Sequence, residues 1–334
     1  MTAIHIGVIV LVGGVLYANS LSAPFVFDDH QHIRENRFVH MQRFDLQDFY
    51  GAAVKSPDAK RPVANISFAL NHVLGGLDVV GYHAVNIAVH IINGVLVYVL
   101  ASITFRLWTQ SPRRGRSVPG TKLSALATAL LFTAHPLQIQ SVTYIVQRMN
   151  SMAVMFMLLA LLLYIRGRLG TGGWRRGAIW ALGAAAWVMA LGCKPVAATL
   201  PLTILLYDLY FFRRSAGQSF RWWRFMPESL VLVAAALVVI FLGPDPFASL
   251  VDVYVLHEFT LPQRLLTQFR VLVFYGSLLL FPHPSRLNLL HDIHASRSLV
   301  DPITTLISLG LIALLIVVAI VTARRFRVTS FCIV

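Results

Sequence analysis

The sequence predicts an all-α, polytopic membrane protein with about eight transmembrane helices, one re-entrant segment and an amphipathic helix in its first outer loop. Three observations carry that expectation. Of 334 residues, 57% are hydrophobic and only 13% are charged, where a soluble domain carries about 25% charged residues; mean hydropathy is +0.70. The apolar residues gather in long charge-free runs, and the basic residues fall between alternate runs. This pattern excludes a disordered chain, a collagen and a disulfide scaffold, and it makes lipid the solvent.

The charge-free runs cover 1–27, 79–105, 123–147, 149–165, 177–193, 195–207, 229–244 and 302–323. A bilayer-crossing helix needs roughly 17 to 25 mostly apolar residues, so these are eight candidate spans, some of them short. No Lys or Arg precedes the first run, whereas a signal peptide normally begins with positive charge; it reads as an uncleaved helix. A further run, 271–281, has 11 residues before Pro282, His283 and Pro284. That is the length of a re-entrant segment, and counting it as a crossing would put Arg324, Arg325 and Arg327 on the wrong face. The stretch 328–334 reads as the start of another span.

Charge sets the orientation. Arg106, Arg113, Arg114, Arg116 and Lys122 form one cluster; Arg166, Arg168, Arg175 and Arg176 a second; Arg213, Arg214, Arg221 and Arg224 a third; Arg324, Arg325 and Arg327 the last. Only Asp208 and Glu228 accompany these 16 of the 28 Lys and Arg, so one face holds the whole net charge of +14. The positive-inside rule makes that face cytoplasmic, with the loop at 22–82 outside. The charge is therefore a topology signal, and no nucleic-acid partner is expected. Cys193 and Cys332 fall on opposite faces and do not pair. The chain reads as a single membrane domain, 1–334.

In the loop at 22–82, Pro62, Val63, Ile66, Leu70, Val73 and Leu74 recur at helical spacing, opposed by Asn65, Asn71 and His72 and stopped by Gly75 and Gly76. This predicts an amphipathic helix on the outer leaflet, able to roof a site at the lipid boundary.

The candidate chemistry collects on the same side. Asp28 and Asp29 emerge directly from the first span; desolvation and the neighbouring like charge would raise one pKa and suit that carboxylate to take a proton from a hydroxyl. A helix cap or solvated turn is the alternative. His83, Asn86, His90 and Asn93 share one face of a helix inside a span, either bonded between helices or lining a polar cavity. No carboxylate or cysteine joins these histidines at ligand spacing, so no metal is expected. His135, Tyr144 and Arg148 mark a third outer feature, and Arg148 and Lys194 are the only charges in their outer turns. Each is read as snorkelling to headgroups or as holding a phosphate. The outer segment 263–298 adds Arg270, His291 and Asp292.

Carboxylates at one end and cations at the other suit a sugar joined through phosphate to a membrane lipid. A carboxylate would deprotonate the incoming hydroxyl while the lipid phosphate leaves, its charge met by Arg or Lys, with inversion at the anomeric carbon.

The motifs Phe25-Val26-Phe27-Asp28-Asp29 with Ile33 and Asn36, Arg61-Pro62 with Ser67-Phe68-Ala69-Leu70-Asn71, Tyr82-His83 with Asn86 and His90, and His135-Pro136 through Val142, Tyr144 and Arg148 follow one another in order. So do Cys193-Lys194, Leu200-Pro201, Leu206-Tyr207-Asp208, Gln268, Arg270, His291-Asp292 and Ser296. In these the chain resembles the transmembrane and tetratricopeptide-repeat O-mannosyltransferases and their bacterial relatives, within the GT-C glycosyltransferases. The resemblance implies a GT-C-like fold and transfer of mannose or another hexose from a polyprenyl-phosphate donor to Ser or Thr of an outward-facing acceptor protein, with no cofactor. It implies Asp28 or Asp29 as the catalytic carboxylate, with Asp28 favoured as base and Asp29 as its partner, donor phosphate on Arg148, Lys194 and Arg270, and a pocket that includes Arg61, His83, Asn86, His90, His135, Tyr144, His291 and Asp292. A bacterial inner membrane with the site facing the periplasm is the implied location. Gln140 stands where many members of that family carry Glu, and Pro195 follows Lys194 where Glu is usual. The rival readings are a solute transporter or channel, which predicts internal repeats and mid-membrane charges that the sequence lacks, and an inactive membrane scaffold.

Overall fold

In a computed structural model the described residues are 2–109, 120–170, 172–213, 259–288, 291–323 and 325–334. The predicted span 229–244 and most of the cluster Arg213, Arg214, Arg221 and Arg224 lie outside them. The described residues are helical or irregular, as the composition requires, and divide into two compact units, Met1–Ile204 and Leu205–Val334.

In the first unit, α1 (Thr2–Tyr17) and α4 (Val79–Thr109) follow the first two apolar runs. The third run breaks into α5 (Thr121–Ala134) and the short α6 (Gln138–Thr143). Pro136 explains the break, since it lacks a donor and its ring forces the preceding residue out of helical geometry; His135 is extended, at φ −66° and ψ 128°. α7 (Arg148–Leu169) and α8 (Trp174–Leu191) form a hairpin, and α9 (Leu200–Tyr207) follows. Five helical stretches among the described residues are long and apolar enough to cross a membrane: Thr2–Ser20, Val79–Thr109, Ile145–Leu169, Pro195–Phe212 and Thr304–Thr322.

Small residues let α1, α4 and α5 approach closely, the usual device where helices gain nothing from expelling water. A methyl group on Gly94 would stand 2.5 Å from Thr133 Oγ1 and 3.1 Å from Ile9 Cγ2. Thr133 is fully buried, so it has little room to yield. Gly94→Ala is therefore expected to cost ~1–3 kcal/mol by overpacking, read as a lower melting temperature in detergent; an unchanged melting temperature would show that the three-helix contact is slack.

The loop between α1 and α4 carries α2 (Leu46–Lys55) and α3 (Pro62–Gly75). Pro62 opens α3 where a missing donor costs nothing, and Gly76, at φ +59°, closes it while its N–H bonds His72 O at 2.7 Å. Asn65 and Asn71 of α3 are buried while Leu70 and Leu74 are exposed. In water this would be an inverted helix; against lipid it is the favourable orientation. Ile33, Val39, Met41, Ala52, Ala64 and Phe68 of the loop pack with Tyr82 of α4 and with Tyr144, Ile145, Val146 and Met149. This small core fixes the loop over the ends of α4 and α7.

In the second unit, α10 (Leu261–Leu280) is one continuous helix, and the run expected as an isolated re-entrant segment is its second half. A capping box of Thr260 and Gln263, with Pro262 in the first turn, starts it ten residues earlier than hydropathy suggests. α10 packs on α11 (Thr304–Thr322), and α12 (Arg327–Ile333) folds against α11. Ser330 Oγ donates to Ala319 O at 2.7 Å and lies 2.7 Å from Tyr210 Oη.

Candidate active site

The chain leaving α1 makes a tight turn at 26–29, locked from inside. Asp29 N–H bonds Val26 O at 3.0 Å, and one Asp29 carboxylate oxygen accepts the Val26 N–H at 3.0 Å. The other oxygen accepts the Val146 N–H at 2.7 Å. Asp29 is 0% exposed. Asp28, by contrast, is exposed, and its own N–H donates to the Tyr144 hydroxyl oxygen at 2.9 Å. The two adjacent carboxylates are thus divided into one spent on backbone and one turned outward.

Burial lifts Asp29 to about 6, against the two backbone N–H groups and His30, which favour its charge; Asp28 adds a smaller push in the same direction as burial. Folding therefore binds the Asp29 proton more tightly than the unfolded chain does. That contribution to stability is fully present below the ordinary carboxylate value and is lost as pH rises through about 6. The melting temperature is expected to fall between pH 4 and 6.5 by this term. Asp29→Asn should flatten that slope and lower the plateau, because an amide nitrogen would face a backbone N–H. A slope unaltered in Asp29→Asn would assign the titration elsewhere.

Burial also pushes the Tyr144 hydroxyl up to about 12, with Asp28 and Asp29 contributing. Tyr144 accordingly keeps its proton at neutral pH and stands as a neutral post beside Asp28.

Arg148 lies three residues past Ile145 and is completely buried. Its Nε donates to Asn86 Oδ1 at 2.7 Å, Nη1 to Asn71 Oδ1 at 2.5 Å and Ser67 O at 3.2 Å, and Nη2 to Tyr82 O at 2.8 Å. The guanidinium also sits over the rings of Phe68 and Tyr82, at 4.8 and 5.5 Å. A cation expected to face a phosphate is instead committed to α3 and α4, and four of its five N–H groups are occupied. Asn71, Tyr82 and Phe68, which hold it, stand in the sequence motifs, but local spacing could not show what they hold.

The polar stripe on α4 is buried and stitched to backbone. His83 Nε2 meets Ala23 O at 3.0 Å and His90 Nε2 meets Thr133 O at 3.0 Å. Asn86 Nδ2 donates to Val142 O and Ile145 O at 3.1 and 3.2 Å, and Asn93 Nδ2 to Ser151 O at 2.9 Å. Of the two readings for this stripe, interhelical bonding describes these contacts. His135 accepts the Leu137 N–H at 3.2 Å and so shapes the turn after α5.

Two cations sit at the entrance to α3. Arg61 pairs with Asp58 at 2.9 Å, and its Nη1 reaches Met149 Sδ at 2.9 Å. Val63 N–H bonds Gly192 O at 3.0 Å, tying α3 to the turn that holds Lys194. Burial first, and the Arg61 charge second, hold the Lys194 ammonium below its ordinary value. An anion placed there would relieve both costs.

One short segment gathers these groups: Tyr144 holds Asp28, Val146 holds Asp29, Arg148 holds α3 and α4, and Met149 touches Arg61. Arg270, His291 and Asp292 belong to the second unit. There Arg270 Nη1 donates to His294 O at 2.8 Å, His291 Nε2 meets Arg286 O at 2.9 Å, and Asp292 lies 3.9 Å from His294 with both side chains open to solvent. Among the described residues no three His, Cys, Asp or Glu side chains gather as a metal-ligand set.

Fold and site define a class: an all-α membrane protein whose loop between α1 and α4 carries a carboxylate pair braced by the segment before α7. Comparison with known proteins shows which family this chain resembles. It is 31% identical over 214 residues to protein O-mannosyl-transferase TMTC2 of Mus musculus, covering 61% of this chain and 24% of that protein. It is 31% identical over 287 residues to Tmtc2 of Drosophila melanogaster, covering 80% of this chain and 28% of the relative. The human TMTC3 enzyme is 26% identical over 261 residues, 72% of this chain and 26% of its own. The chain thus spans about a quarter of the length of these curated relatives. No family model and no solved structure matches it.

Proposed function

We propose that this chain is a membrane glycosyltransferase that moves mannose from a polyprenyl-phosphate donor to Ser or Thr of a protein on the non-cytoplasmic side, which in a bacterium is the periplasm. The observation supporting this most directly is the 144–149 segment, which holds the exposed Asp28 through Tyr144 and the buried Asp29 through Val146, and which touches the Arg61 cation through Met149. Asp28 takes the proton from the acceptor hydroxyl as that oxygen attacks the anomeric carbon. The bond from that carbon to the phosphate oxygen breaks, and the lipid phosphate leaves with the electron pair, its charge met by Lys194 and Arg61. Attack opposite the leaving group inverts the centre. Asp29 keeps the turn in place, and Arg148 braces α3 and α4 around it, so neither needs to touch the sugar. The names of the relatives supply the sugar and the acceptor class.

The test is transfer of labelled mannose from synthetic polyprenyl-phosphate-mannose to Ser/Thr peptides by membranes enriched in the protein. Label should appear on hydroxyl side chains at a rate that rises with the amount of protein. Transfer no faster than in membranes lacking the chain would overturn the proposal.

A further inference from the structure

We infer that Phe27 is the sugar platform of this site: its ring lies under the C–H face of the donor hexose and sets the anomeric carbon beside Asp28. The inference rests on the transferase reading above. Phe27 has φ +44°, the one left-handed non-glycine residue among those described. A bulky residue rarely adopts that conformation, and such outliers persist only where the surroundings over-determine them. Here they do: Val26 O accepts the Asp29 N–H at 3.0 Å, Phe27 O accepts the His30 N–H at 3.1 Å, and the Asp29 carboxylate holds the Val26 N–H.

The strained backbone turns the ring outward instead of into the loop core, where Phe25 and Val26 pack. Phe27 is 64% exposed. The fold therefore holds a disfavoured φ at one residue and leaves its ring uncovered. The ring is nevertheless not loose. It stands edge-on to Tyr144, with centroids 6.4 Å apart and planes at 76°, and the Tyr144 hydroxyl accepts the N–H of Asp28. Ring, hydroxyl and exposed carboxylate share one rim. A hexose has a C–H-lined face that suits an aromatic ring and an edge of hydroxyls that suits a carboxylate, so it fits both halves of that rim.

Full-length protein in nanodiscs, competed with polyprenyl-phosphate-mannose or with polyprenyl phosphate alone, tests this directly. Phe27→Gly removes the ring while accepting the left-handed backbone freely, and its melting temperature, measured on the same preparation, separates loss of the ring from loss of structure; Phe27→Leu keeps an apolar side chain without a ring. Both are expected to weaken the mannosyl lipid about tenfold, the scale of one aromatic contact, and to leave the sugar-free lipid phosphate unchanged, while Phe27→Trp binds like the parent. Equal weakening of both lipids would mean that the ring grips lipid, and no weakening would mean that it grips nothing; either result overturns the inference. Failure of the transferase reading looks different, since the unaltered protein would then not distinguish the two lipids.

Discussion

Replacing Asp28 with asparagine is expected to slow mannose transfer roughly 10²–10⁴-fold, the usual contribution of a general base, while leaving the melting temperature where it was. The separation follows from the geometry. The Asp28 side chain is exposed and bonds Tyr144, and the backbone N–H of Asp28 on the same hydroxyl is a contact that asparagine retains. Asp28→Glu, which moves the carboxylate outward by one methylene, should lie between the two. Asp29→Ala behaves differently: it strands the N–H groups of Val26 and Val146, so activity and stability should fall together. Transfer rate and melting temperature measured on the same preparations distinguish the roles. Full turnover in Asp28→Asn would remove the base, and loss in a stable Asp29→Asn alone would exchange the two assignments.

Much of the fold is legible in the sequence because lipid imposes a simple rule. Runs such as 79–105 and 302–323 must be helices, and they are. Legibility ends where a local signal competes with the run. Pro136 splits what hydropathy treats as one span, and Thr260 with Gln263 starts α10 among the polar residues Arg264, Gln268 and Arg270. The candidate site shows the same limit more sharply. Sequence places Asp28 and Asp29 together at the end of the first apolar run and favours Asp28 as base, but local spacing cannot show that Asp29 is committed to backbone, because its partner Val146 lies 117 residues away. Arg148 looks like a lone cation for a similar reason: its partners Asn71 and Asn86 stand 77 and 62 residues upstream. The motif resemblance fares better than either reading, since an ordered series of short motifs records long-range contacts without revealing what they are.

Arg148→Met is the substitution expected to damage the protein most. Methionine fills a similar volume and is apolar, and replacing a whole buried polar set by apolar groups is often tolerated. Here only one member of the set is replaced. Asn86 Oδ1, Asn71 Oδ1, Ser67 O and Tyr82 O would all lose their donor in a closed interior, and the rings of Phe68 and Tyr82 would lose the cation above them. Removing one side of a buried charged network costs about 3–5 kcal/mol, a large part of the total stability of most folds. The damage spreads to the chemistry, because Asn86 also holds Val142 O and Ile145 O, and the residues beside Ile145 hold both aspartates. Arg148→Lys, a point charge in place of a fork, should recover only part of the loss. A double-mutant cycle isolates the cause: Arg148→Met combined with Asn86→Leu should cost less than the sum of the two single changes, since each removes a partner the other strands. If Arg148→Met instead melts like the parent and fails only to hold polyprenyl phosphate, the arginine is a ligand of the donor and the internal contacts are incidental.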